Sequence, residues 1–349
     1  MSEKPSLPYT ELPSRMRPIL ELAPSPEQIA KRLQDLGPLK PRDGDTDGSV
    51  EHLCGVPFTH HFVEAPGDYE TVSFHYVTCG EEQRQANKAP VVLLHGMPDS
   101  WFQWHQHMAA LAQDGSLCVA PDLKGYGQSS KEPGDYSHKG AAEQLAGMLL
   151  KAKIESFYLV THDRGTVQGD YLAALFPDRV LGYIRGEQHL VHYNPALSSQ
   201  NDLFRDAPYN GVMDDPQRLA VTAYMWLTAR QMPDERATLE RLAQELAYEG
   251  IKKAVPRYYG ASTFRQEWLD RRGRLMHLWR CPIVILQGHD SPTQPREWFQ
   301  LEEIRGLIPH AKVLDVKFIP GGHFWPLESP EETTTAMRKA LEALRREQL

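Results

Sequence analysis

Residues 161–165 of the 349-residue chain read Thr161-His162-Asp163-Arg164-Gly165, directly after the apolar run Phe157-Tyr158-Leu159-Val160. Asp163 stands where a tight turn between strand and helix, flanked by small residues, would present a reactive atom. Its residue type constrains the chemistry. A serine at this point would attack acyl carbon through its hydroxyl, whereas a carboxylate attacking an ester yields only a labile anhydride. A carboxylate is suited instead to saturated carbon: it opens a strained ring or displaces a halide, and leaves an ester on the enzyme itself. The competing reading is a buried aspartate that merely caps a helix N-terminus.

Three further motifs fall at strand ends around this turn. His95-Gly96-Met97-Pro98 follows an apolar run ending at Leu94. Asp122-Leu123-Lys124-Gly125-Tyr126-Gly127-Gln128-Ser129 follows a second run ending near Ala120. Gly321-Gly322-His323-Phe324-Trp325-Pro326 comes late in the chain. In this order and spacing, residues 56–345 resemble the α/β-hydrolases with an aspartate nucleophile, which include epoxide hydrolases, fluoroacetate dehalogenases and haloalkane dehalogenases. The first 55 residues lie outside the resemblance. It implies Asp163 as nucleophile and His323 as the base that activates water against the Asp163 ester. The oxyanion formed in that step would meet the backbone N–H groups of Met97 and Arg164. For the acid that orients His323 there are two candidates. Asp290, in Gly288-His289-Asp290-Ser291-Pro292, occupies the usual place in epoxide hydrolases and is the preferred one. Glu187 occupies the place used by fluoroacetate dehalogenases and some haloalkane dehalogenases.

The leaving group separates these subfamilies. An epoxide departs as a strongly basic alkoxide and needs a proton donor, which epoxide hydrolases supply from two tyrosines; a halide needs only donors that solvate an anion. Tyr259, in Arg257-Tyr258-Tyr259-Gly260-Ala261, matches the second of those tyrosines. Fluoroacetate dehalogenases carry a tyrosine there too. A gapless match through Gln231 puts Trp226 at the first phenol position, as in fluoroacetate dehalogenases, and Tyr224 two residues away on another helix face. Arg164 also resembles fluoroacetate dehalogenases and could clamp a substrate carboxylate with two parallel hydrogen bonds. Their second arginine is here Val167, however, and their lid histidine is Met225. Haloalkane dehalogenases bind halide through residues that are here Met97 and Arg164. Epoxide hydrolysis is therefore the expected activity, haloacid dehalogenation the alternative, and a cyclising or non-catalytic member the third. His95, Trp101, Tyr224, Trp226 and Tyr258 complete the side chains expected to touch substrate. The chemistry calls for no metal and no organic cofactor.

Strands alternating with helices would carry these motifs. Apolar or alternating runs at 58–63, 72–77, 90–94, 117–120, 157–161, 180–184, 282–286 and 313–316 predict strands. Helical stretches at 101–112, 139–153 and 331–347 lie between or after them, which implies a mostly parallel sheet with helices on its faces. Residues 190–280 contain no core strand and read as helices at 219–232, 234–254 and 264–278. The expected organisation is an N-terminal extension over 1–55, with a helix at 26–33 capped by Ser25, an α/β core over 56–189 and 281–349, and a helical cap over 190–280 above the carboxyl edge of the sheet. The net charge of −8 argues against a nucleic-acid partner. No apolar run reaches the length of a membrane span, and Met1-Ser2-Glu3-Lys4-Pro5 lacks a signal-peptide core. Cys54, Cys79, Cys118 and Cys281 fit no metal-ligand spacing and read as reduced thiols in a cytoplasmic protein. The expected partner is a small-molecule substrate, and the aromatic cap could equally serve as a homodimer surface.

Overall fold

A computed structural model describes residues 23–67 and 71–348. Nine strands form one sheet in the order β1-β2-β3-β5-β4-β6-β7-β8-β9. The strands are β1 (Val50–Leu53), β2 (Val56–Pro66), β3 (Thr71–Cys79), β4 (Val91–Leu94), β5 (Cys118–Pro121), β6 (Phe157–Thr161), β7 (Val180–Gly186), β8 (Ile283–Gly288) and β9 (Val313–Ile319). β1, β2 and β3 pair antiparallel, and β3 pairs antiparallel with β5. From β5 through β4 to β9 every pairing is parallel.

Alternation along the central strands divides the interior into two layers. Val92, Leu94, Leu159, Ile283 and Ile285 face one core with Leu145 and Leu172. Val91, Leu93, Val160, Val284 and Leu286 face the other with Met108, Leu341 and Leu344. Both faces are thus covered by helices: His138–Lys151 and Arg164–Leu175 on one side, His105–Gln113 and Pro330–Arg346 on the other. This is why the central strands read as continuous apolar runs.

After β7 the chain leaves the sheet and returns to it at Ile283. Between these points lie the helices Ser198–Arg205, Ala207–Asn210, Pro216–Leu227, Glu235–Leu246, Ile251–Ala261 and Phe264–Gly273. The single helix expected over 234–254 is two, because Gly250 adopts φ 89° and ends the continuous path. The helix expected to run to residue 232 stops at Leu227, where the carbonyl accepts the N–H of His323 at 2.9 Å. Glu328 then takes the N–H groups of Ala229 and Arg230, both at 2.8 Å.

Residues 23–55 are joined to the rest of the fold by specific contacts. Ser25 caps the helix Pro26–Leu36 in a reciprocal capping box with Gln28. Gln217 donates to the Gly37 carbonyl at 2.9 Å, and Arg236 donates to those of Asp35 and Leu36 at 3.1 and 3.0 Å. β1 extends the sheet edge. Beneath it, His75 bonds Asp122 at 2.7 Å through Nδ1 and His60 at 2.9 Å through Nε2. The planes of the two imidazole rings are inclined by 14° at a centroid separation of 5.2 Å. Asp122 in turn holds the N–H groups of Trp101 and Gln128, fixing the loops after β4 and β5.

Candidate active site

Asp163 follows β6 directly and precedes the helix Arg164–Leu175. Its backbone has φ 48° and ψ −117°, a strained conformation for a residue with a Cβ. The turn is packed so tightly that its neighbours must be small. A Cβ on Gly165 would lie 2.5 Å from the carbonyl oxygens of Leu94 and His95, and one on Gly96 would lie 2.4 Å from the Asp163 Cβ. The carboxylate is thereby pushed up from the sheet edge, where one oxygen, Oδ1, accepts the Met97 N–H at 2.9 Å. The N–H of Arg164, at the first position of the helix, has no acceptor within the helix.

His323 lies on the loop after β9 with its ring between two carboxylates. Nε2 is 3.6 Å from Asp163 Oδ2, and Nδ1 is 3.0 Å from Glu187 Oε2. Burial alone would depress the imidazole pKa; the hydrogen bond and charge of Glu187, with the charges of Asp163 and Asp99, outweigh it and hold His323 above its ordinary value. The loop is fixed from behind. His162 Nε2 bonds the His323 carbonyl at 2.8 Å, and Gln103 bonds His162 Nδ1 at 2.8 Å and accepts the Gly96 N–H at 3.3 Å. One chain of hydrogen bonds therefore ties together the loop carrying Met97, the elbow and the His323 loop.

The preferred acid, Asp290, is not brought to this cluster. Its carboxylate is 58% exposed and bonds the neighbouring His289 at 2.8 Å. Glu187 takes the place instead, fully buried just after β7, with φ 45° turning its side chain inward. Gln287, Gly288, Ser291 and Thr293, from the end of β8 and the loop beyond it, all donate to the Glu187 carboxylate at 2.6–3.2 Å. The segment carrying Asp290 is thus committed to holding Glu187, and Asp290 itself turns to solvent.

A cavity of about 220 Å³ opens above Asp163 and His323. Its floor includes Met97, Arg164, Glu187 and Phe324, and its walls include Leu203, Phe204, Leu219, Ala223, Trp226, Tyr259 and Phe264 from the helices between β7 and β8. Of the side chains expected to touch substrate, Trp226 lines it and four do not. Tyr224 is buried against Phe324, with ring centroids 4.0 Å apart, and donates to Asp99. Tyr258 donates to the Lys124 carbonyl at 3.0 Å. His95 is sealed beneath the loop, contacting the Gly96 carbonyl and the Leu123 N–H at 2.8 and 3.0 Å. Trp101 is packed in the core at 0% exposure. Each is diverted by a partner inside the fold.

Arg164 is also diverted. Its guanidinium pairs in bidentate fashion with Glu267, at 2.9 and 2.7 Å, so its forked edge is not presented to the cavity. The group lies 5.1 Å from the centroid of Tyr259 and 5.3 Å from that of Phe264. Tyr259 is buried at the cavity wall, and among the described residues no protein group takes its hydroxyl. Burial raises its pKa above the ordinary phenol value, while Arg164 opposes the rise.

Asp99 was not anticipated from the sequence, although it directly follows Pro98. Buried at 2% exposure, it accepts the Tyr224 hydroxyl, and its pKa is pushed up to about 7, chiefly by burial. Glu267 also escaped notice, since a glutamate at the start of a helix is ordinarily a solvated residue that favours the dipole.

A family model described as "alpha/beta hydrolase fold" matches residues 89–330. Epoxide hydrolase 3 of Siraitia grosvenorii is 34% identical over 109 residues, 31% of this chain and 34% of that protein. The chain thus aligns with about a third of the length of the curated relatives it first matches. A haloalkane dehalogenase of Mycobacterium marinum is 25% identical over 288 residues, 78% of this chain and 92% of that protein. The crystal structure of epoxide hydrolase A from Mycobacterium thermoresistibile superposes with a TM-score of 0.63 at 20% identity, covering 81% of this chain and 98% of that one.

Proposed function

Because the chain belongs to the α/β hydrolase fold family, we propose that it hydrolyses epoxides through an ester on Asp163, in a site built from Asp163, His323 and Glu187. The observation that carries this reading is the alignment of one carboxylate with two different partners. Asp163 Oδ1 rests on the Met97 N–H at 2.9 Å, and Oδ2 faces His323 Nε2 at 3.6 Å beneath the cavity.

In the first step Oδ2 attacks an epoxide carbon, the ring C–O bond breaks, and the departing oxygen takes a proton from Tyr259. Even with its pKa raised, the phenol is a far stronger acid than the alcohol being formed. In the second step His323 removes a proton from water, and the hydroxide adds to Asp163 Cγ. The tetrahedral oxyanion sits on Oδ1, against the N–H groups of Met97 and Arg164. Its collapse releases the alcohol oxygen of the ester, which takes the proton held by His323, and the proton left on the re-formed Asp163 carboxyl returns to the Tyr259 phenolate, so that water has been added across the epoxide to give a vicinal diol and both groups are restored. Glu187 stabilises the His323 imidazolium through its 3.0 Å contact with Nδ1. The helices between β7 and β8 act as a cap that supplies Tyr259 and excludes water from the apolar walls.

Halide displacement is the second reading, since Trp226 lines the cavity at the position the sequence comparison gave it. Intact-mass analysis of His323→Gln separates the two. Without the base, the ester should persist after treatment with a panel of epoxides, haloalkanes and haloacids. A gain equal to the whole substrate supports ring opening, and a gain smaller by one hydrogen halide supports displacement. Absence of an adduct with every compound, together with full activity in Asp163→Asn, would refute both.

A further inference from the structure

We propose that Glu267 occupies the carboxylate-binding edge of Arg164 permanently, so that the cavity accepts uncharged, apolar substrates and rejects carboxylate-bearing ones. An arginine directly after Asp163, at the floor of an apolar cavity, is by its chemistry a receptor for a substrate carboxylate. Here that role is filled from within the chain. Both terminal nitrogens of Arg164 face the two Glu267 oxygens at 2.9 and 2.7 Å, and Glu267 is held in turn by the Ser262 hydroxyl at 2.9 Å. Nη2 also meets His138 Nε2 at 2.6 Å, and Nε is buried out of reach. Tyr259 and Phe264 cover the guanidinium at 5.1 and 5.3 Å, so the cavity meets aromatic surface rather than open donors.

The remaining charge on the walls does not replace it. Arg218 lies at the rim beside Asp215, 3.8 Å away and equally exposed. His189 is neutral at physiological pH, its pKa lowered to about 3 by burial first and by Arg271 second. His323 lies between Glu187 and Asp163. Among the described residues, a ligand carboxylate entering the cavity would therefore meet the carboxylates of Asp163 and Glu187 at the floor, with Arg218 at the rim as the cation nearest solvent, whereas a neutral apolar ligand loses nothing.

The proposal rests on the assigned site only for which reaction follows binding, and its test is a binding measurement. Calorimetric titration of the 349-residue chain with phenylacetamide and phenylacetate compares an uncharged probe with its charged near-isostere. The wild type should bind the amide at least tenfold more tightly. Glu267→Gln, which releases the Arg164 edge, should reduce that ratio at least tenfold. The double variant Arg164→Gln/Glu267→Gln should restore the wild-type preference. Leaving a buried guanidinium without its counter-charge is strongly destabilising. If Glu267→Gln does not fold, Glu267→Asp carries the test: one methylene shorter, it cannot pair both terminal nitrogens, and the ratio should fall at least threefold. Equal affinity of the wild type for both probes, or an unchanged ratio in the folded variant, would overturn the proposal. Preference for the amide without turnover of any epoxide would leave this inference standing and remove the assigned reaction; epoxide turnover with equal affinity would do the reverse.

Discussion

Replacing Glu187 with glutamine should stall the proposed reaction after its first step. Its carboxylate accepts from Gln287 and Gly288 on Oε1, at 2.6 and 3.2 Å, and from Ser291, Thr293 and His323 on Oε2, at 3.0, 3.1 and 3.0 Å. An amide can keep only one of these faces. Gly288 offers a backbone N–H that cannot rotate away, so the amide oxygen belongs on that side and the NH₂ on the other. The Ser291 and Thr293 hydroxyls can turn to accept from it. His323 can accept only by presenting a bare Nδ1, which places its proton on Nε2, where a lone pair is needed to take a proton from water. Loss of the correct tautomer in a Ser-His-Asp triad costs about 10⁴ in kcat, and at ~1.4 kcal/mol per tenfold a loss of about 10³–10⁴ here is ~4–5.5 kcal/mol of transition-state stabilisation. Asp290→Asn, on an exposed carboxylate bonded to His289, should change kcat less than about twofold, as surface substitutions away from special features are worth within about 0.5 kcal/mol. Rapid mixing with a chromogenic epoxide should show a burst of one equivalent in Glu187→Gln, with the ester detectable by intact mass. Near-full activity in Glu187→Gln, or a hundredfold loss in Asp290→Asn, would refute the assignment.

Three other outcomes are expected. Tyr259→Phe should slow epoxide opening by about 10²-fold, the lower range for a positioned proton donor, and should spare hydrolysis of a preformed ester; equal slowing of both steps would make Tyr259 a packing residue. The acid limb of kcat should titrate above pH ~6.5, because His323 must be neutral to activate water against the ester and Glu187 holds its pKa up against burial. The same shift acts on stability: protonated His323 stabilises the fold fully below the unfolded pKa, and this contribution disappears as pH rises through the folded one, so the Tm gap between wild type and His323→Gln should narrow with rising pH. Gly96→Ala would set a methyl 2.4 Å from Asp163 Cβ and 2.7 Å from Oδ1. It should cost about 1–3 kcal/mol in denaturant unfolding and about a hundredfold in turnover, as a misplacement near 1 Å does.

The residues legible in the sequence were those whose placement is decided locally. Asp163 and His323 sit in motifs where glycines permit backbone approaches that no other residue allows, as the contacts at Gly96, Gly165 and Gly322 demonstrate. Helical geometry set Trp226 and Tyr224 on different faces, and although both were expected at the substrate, one lines the cavity and the other turns to Asp99. The choice between Asp290 and Glu187 was not local. β7 and β8 are adjacent parallel strands, and the side chains that hold Glu187 beside His323, Gln287, Ser291 and Thr293, have no periodicity that marks them as a cradle. His95, Trp101 and Tyr258 failed for a related reason. Each was placed near the cavity by its motif and then claimed by a partner remote in sequence, whose proximity only the folded chain defines.

The same long-range claims bear on the leaving group. Arg164 pointed towards haloacid chemistry only while its forked edge was assumed free, and its pairing with Glu267 removes that inference without removing its charge. The charge still acts on Tyr259, 5.1 Å away, where it opposes the effect of burial and favours loss of the phenolic proton. An arginine that no longer grips a substrate carboxylate thus becomes electrostatic support for a proton donor. That is an asset in expelling an alkoxide and of no use in expelling a halide, which takes no proton. With Tyr224 bound to Asp99 and Tyr258 to the Lys124 carbonyl, the proposed ring opening draws its proton from Tyr259 alone of these three. The regiochemistry of ring opening should then be set by which epoxide carbon can face Asp163 while the oxygen reaches that single hydroxyl.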